Sequence, residues 1–254
     1  MAQAAIREPK LPQVSAGEHC HKAAVILKSA HASATALLDA FKLTRERRGT
    51  EGASPRGMTT HAEQDCLRAM LVMAAAGLDA MMKQIVRDAL PALVASDDAV
   101  KEEFEKFISR RIRGEGGLVE PASSRDFLAR ILAAPSHQSQ AIEEYIQDLA
   151  GGSLQSPKEL MRISQALGLR PLTKENQRKL RKIFDIRNDI IHELDINFAE
   201  PRRIRNMRRV SDMTAHANAL LATGYNILTE VVSKLTAIQE VPAGMPAPAQ
   251  ARSN

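Results

Sequence analysis

The segment His61–Leu93 limits what this chain can fold into more than any other. Apolar residues stand at 67, 70, 71, 74, 78, 81, 82 and 85, the spacing of one helix face. Within it, AMLVMAAAGLDAMM (residues 69–82) is apolar almost all the way round. A helix with no polar side has to be surrounded by protein, so this one belongs at the centre of a bundle. The run is too short for a bilayer span and carries Asp79, which predicts a buried helix and no membrane partner. Pro91 marks its expected end.

The rest of the chain is also patterned as helix. A first helix over about Lys22–Lys42 carries Val25, Leu27, Leu37, Leu38 and Phe41, and reads as an arm docked on the body. Ser96-Asp97-Asp98 offers cap chemistry for VKEEFEKFISRRIR, which stops at Gly114. Shorter helices over about Ser124–Ala134 and Gln138–Leu149 end at Pro135 and at Gly151-Gly152. Ser156-Pro157-Lys158-Glu159 is a strong start signal, with Gly168 as the stop. Thr173 caps a helix running to about Ile196, and a long amphipathic helix over Asp212–Gln239 closes the body. No alternating β-branched run suggests a sheet, so the expected fold is an all-α bundle over 61–239. Before it lie a tail (1–21) and the first helix with a flexible linker (22–60). A Pro/Ala-rich tail (240–254) follows, and both tails are expected to be disordered.

Composition narrows the chemistry. Aromatics make up 3% with no Trp, which argues against base-stacking platforms. Lys and Arg exceed Asp and Glu by 35 to 30, a mild excess that permits a polyanionic partner without requiring one. Cys20 and Cys66 form no C-x-x-C pair and the first residues lack an apolar leader run, so a cytoplasmic, reducing setting is expected. Glu18-His19-Cys20-His21 gathers metal-ligand types without a second half, so neither a metal nor a cofactor is expected. A Gly-rich phosphate loop, G-x-S-x-G and H-E-x-x-H are all missing, which leaves nucleotide hydrolases, α/β-hydrolases and zincins without support.

The informative stretch is Phe184-Asp185-Ile186-Arg187-Asn188-Asp189-Ile190-Ile191-His192-Glu193. On a helix, Ile183, Ile186, Ile190, Ile191 and Leu194 share a face, and Arg187 falls near the middle of that arc. A guanidinium there needs an acid or an anionic ligand, and Asp79 is the obvious internal acid. Asp185, Asn188 and His192 form a polar stripe beside the arc. Arg-to-His spacings of this kind also occur at Arg56/His61, Arg130/His137 and Arg209/His216, but in loops or across helix boundaries. Only Arg187/His192 combines an Asn after the Arg, intervening isoleucines and a guanidinium in apolar surroundings.

IRNDIIHE resembles the signature of HEPN domains, in which an Arg and a polar residue precede a His by four to six positions. An apolar opening helix and a signature helix placed before the last one are similar to bacterial HEPN proteins of the RiboL-PSP type. The resemblance implies a metal-independent endoribonuclease of toxin or phage-defence kind, with RNA as substrate. Arg187, Asn188 and His192 would be catalytic, with Asp79 and Asp185 in support. It further implies a homodimer, with an antitoxin or other regulatory protein as a further partner. A non-catalytic HEPN module that binds RNA or protein is the alternative. Residues five positions apart lie about 140° apart on an ideal helix. Arg187 and His192 can therefore meet only across a dimer or through a local helix distortion. Arg202, Arg203, Arg205, Arg208 and Arg209 follow directly and are expected to track the RNA backbone.

Overall fold

The computed structural model describes residues 4–8, 10–15, 18–50, 58–114, 121–201 and 204–240. Within these the elements are α1 (His21–Thr50), α2 (His61–Ser96), α3 (Asp98–Arg113), α4 (Pro121–Ala133), α5 (His137–Ala150), α6 (Pro157–Ala166), α7 (Lys174–Glu193) and α8 (Val210–Glu240). The fold is an all-α bundle. A single isolated bridge, Ile196 to Arg205, is the only β pairing among the described residues.

α2 is the central helix that its pattern predicts. Leu67, Met70, Leu71, Leu78, Met81, Met82 and Ile85 are fully buried, and α1, α3, α5, α7 and α8 all pack on it. It is long and apolar enough to cross a membrane by composition, but most of its large apolar residues are buried against these neighbours, with Met73 exposed. A capping box starts it. Thr60 Oγ1 accepts from Glu63 N–H at 3.2 Å, and Glu63 Oε2 accepts from Thr60 N–H at 3.0 Å. Pro91 does not end it. The missing N–H would have faced the turn of exposed Arg87, while Leu90, Leu93 and Val94 stay buried and carry the helix to Ser96. Asp97 then ends α2 and caps α3, accepting from Val100 N–H at 3.1 Å.

α1 is part of the bundle and longer than its pattern suggests, reaching Thr50. Ala23, Leu27, Ala30, Ala34, Leu38 and Phe41 are buried. Small residues let it lie close to α2: a Cβ placed on Gly77 would sit 2.1 Å from the Ala30 Cβ. Of the linker, residues 51–57 lie outside the described residues, as do 241–254 of the final tail.

The first tail is also docked where it is described. The Asn218 side chain of α8 reads its backbone like a strand edge, donating to Ala5 O at 2.9 Å and accepting from Arg7 N–H at 2.8 Å. Ile6 and Leu11 pack against the core. The Glu18–His21 side chains serve as pins. His19 Nδ1 donates to Asp88 O at 2.7 Å, Glu18 accepts from Ser15 N–H at 2.8 Å, and Cys20 is fully buried. Among the described residues no group of three or more His, Cys, Asp and Glu is placed to hold a metal.

Candidate functional site

α7 begins where its pattern predicts, with Thr173 accepting from Asn176 N–H at 3.2 Å. Leu180, Ile183, Phe184, Ile186 and Ile190 form its buried face. Ile191 and Leu194, assigned to that face by spacing, are exposed instead. The helix stops at Glu193, short of Ile196, because Leu194 and Asp195 both turn into the left-handed region (φ 52° and 61°). Asp189 O then accepts from both Leu194 N–H and Asp195 N–H, the latter at 2.9 Å, which closes the end.

Two of the three signature side chains come together. The half-buried Arg187 donates from Nη1 to Asn188 Oδ1 at 2.9 Å. Asn188 Nδ2 donates in turn to the main-chain oxygen of Gln155 at 3.3 Å, which anchors the pair to the loop between α5 and α6. The Nε of Arg187 is buried and has no hydrogen-bond partner among the described residues. An unpaired guanidinium N–H away from water is costly, and Arg48 and Arg111 carry buried guanidinium nitrogens in the same state. His192 is exposed, makes no hydrogen bond to a described residue, and lies on another sector of an unbroken helix. α7 shows no distortion that would bring His192 round to Arg187.

Asp79 is not the ion partner of Arg187. Its Oδ2 pairs with Lys83 at 2.9 Å, one turn on, and its Oδ1 accepts from Leu154 N–H at 2.8 Å. A local i,i+4 lysine and a loop amide satisfy it more directly than a guanidinium on another helix. Asp79 instead fixes Leu154, and the next residue, Gln155, anchors Asn188. Asp185 is exposed and forms no ion pair with a described residue. Sequence reasoning missed Gln155, because a main-chain oxygen has no signature in side-chain chemistry.

Two arginines of the Arg-rich connection are spent internally. Arg208 forks onto the fully buried Asp195 through Nη2 at 2.5 Å and through Nε at 3.2 Å, and lies 3.6 Å from Asp189. Arg205 pairs with Asp65 at 2.8 Å and donates to Leu194 O at 3.0 Å. These two guanidiniums hold the connection in place and are not free cations waiting for phosphate. Arg209 is exposed, and Arg202 and Arg203 lie outside the described residues. Arg68 of α2, only 3% exposed, completes the cluster by donating to Asp195 Oδ2 at 2.8 Å and to Asn206 O at 2.7 Å. Burial alone would raise the Asp195 carboxyl, but Arg208, Arg68 and Asn206 together bring it below the ordinary carboxylate value.

No protein-family model matches this chain, and neither a curated protein nor a solved structure is similar enough to match it.

Proposed function

We propose that the protein is a metal-independent endoribonuclease of the HEPN kind, of toxin or phage-defence character. The observation that carries this reading is the Arg187 guanidinium: half-buried, oriented by Asn188, and left with a buried Nε that no described residue satisfies. A phosphodiester oxygen is the anion such a planar fork suits best. RNA brings its own nucleophile, the 2′-hydroxyl, which attacks the adjacent phosphorus while the bond to the 5′-oxygen breaks. The reaction needs one proton removed and one delivered, and stabilisation of charge on the phosphoryl oxygens. Arg187 meets the second need. His192, an exposed imidazole able to take up or give a proton, meets the first. Two copies of α7 facing one cleft would supply a base and an acid, one from each protomer.

The unbroken helix between Arg187 and His192 favours a second reading. Held on separate sectors of α7, they would form no site within one subunit, as in a non-catalytic module that binds RNA or a protein partner.

Mixing two variants separates the readings. Arg187→Gln and His192→Ala are each expected to be inactive on RNA. Dimers refolded from a mixture of the two regain part of the wild-type cleavage if the site is shared. Folded mixed dimers that stay inactive, beside an active wild type, exclude a shared site. A wild type that binds RNA without cutting it establishes the non-catalytic reading.

A further inference from the structure

One cavity shares a wall with the Asn188 anchor. It holds about 260 Å³ between the start of α6 and the middle of α7. Volumes of this size fall below those of ordinary ligand pockets and suit a single heterocycle. Its floor is apolar, formed by the buried ring of Phe184 and the half-buried Met161. Lys158 and Arg181 stand exposed at the rim, neither paired with a described acid.

The wall decides which heterocycle fits. Asp185 offers a carboxylate with no ion pair. Gln177 spends one Nε2 hydrogen on Leu172 O at 2.8 Å, which holds the amide in place and leaves its Oε1, beside one remaining N–H, for a ligand. Gln155, the third polar neighbour, is fixed relative to Arg187 through Asn188. An apolar floor, acceptors on the wall and cations at the rim describe a nucleotide subsite selective for a base edge rich in donors.

We propose that this cavity is a guanine-binding subsite beside Gln155, the residue that anchors Asn188, with Asp185 as its specificity-determining residue. Guanine presents a ring N–H and an exocyclic amine side by side, which a carboxylate accepts in two parallel bonds. Adenine and cytosine place a ring acceptor next to the amine, which Asp185 repels. Uracil flanks its one N–H with carbonyls. The subsite's place next to a scissile phosphate rests on the ribonuclease reading; its base preference does not.

The test titrates the full chain with the four ribonucleoside 5′-monophosphates by calorimetry, for wild type and for Asp185→Asn, with circular dichroism to confirm the variant's fold. Guanosine monophosphate is expected to bind at least about tenfold more tightly than the other three, and Asp185→Asn to level the four. Equal affinities, no binding of any nucleotide, or an unchanged preference in Asp185→Asn each overturn the proposal. Gln177→Ala, expected to weaken guanosine monophosphate alone, gives a second route if Asp185→Asn proves misfolded. A guanine preference without RNA cleavage would keep the subsite and remove the nuclease. RNA cleavage without guanosine monophosphate binding would remove the subsite alone.

Discussion

Arg68 of α2 and Asp195, just past the end of α7, form a buried ion pair at 2.8 Å that ties the helix bearing Arg187 and His192 to the centre of the bundle. The two consecutive left-handed residues at this point, Leu194 and Asp195, would otherwise cost about 1–3 kcal/mol each. Removing the Arg68 guanidinium takes one of the two cations from a carboxylate held in the protein interior. Arg68→Met is therefore expected to lower unfolding stability by about 3 kcal/mol in urea titrations. A loss under about 1 kcal/mol would mean that Arg208 alone satisfies Asp195.

The same carboxylate sets an acid limit. Asp195, Asp65 and Asp97 all titrate below their ordinary value of 3.8 in the folded protein, so the unfolded chain binds protons first as pH falls. Their stabilisation is full above that value and is lost as pH drops through it and below. Asp195→Asn is expected to flatten the stability–pH curve below about pH 4 relative to wild type. Parallel curves for the two proteins would contradict this.

Gly77 and Ala30 meet where α1 crosses α2, with no room for another methyl group. Gly77→Ala improves helix propensity by about 1 kcal/mol, yet the clash is expected to win and destabilise by about 1–3 kcal/mol. Adding Ala30→Gly opens the space again, so the double variant is expected to be more stable than Gly77→Ala alone. Additive losses in thermal or urea unfolding would refute the contact.

Asn218 holds the first described segment by two main-chain hydrogen bonds. Asn218→Ala is expected to cost about 1–2 kcal/mol and to speed amide exchange at Arg7 without changing exchange in α2. Unchanged exchange at Arg7 would show that Ile6 and Leu11 alone dock the segment.

Local signals were the legible ones. The starts at Ser156 and Thr173 follow from side chains that bond within three residues, and the central place of α2 follows from its uninterrupted apolar girth. Pro91 misled because propensity is local, while burial of Leu90, Leu93 and Val94 is tertiary. Arg187 beside Asn188 was readable because the two are chain neighbours. The Asn188–Gln155 and Asp79–Leu154 contacts join elements far apart in sequence, which no periodicity encodes. Arg68 is a guanidinium in more thoroughly buried surroundings than Arg187, and its acid, Asp195, comes 127 positions later. The Arg-rich connection looked like a free basic face because its charges are adjacent and the acids that take up Arg205 and Arg208 are scattered.

The most direct measurement is the end chemistry of RNA fragments made in the presence of a chelator. Wild type is expected to leave 2′,3′-cyclic phosphate and 5′-hydroxyl ends. His192→Ala, folded by circular dichroism, is expected to slow cleavage by about 10²–10⁴-fold. Undiminished cleavage by His192→Ala, or 3′-hydroxyl and 5′-phosphate ends, would contradict the role given to Arg187 and His192.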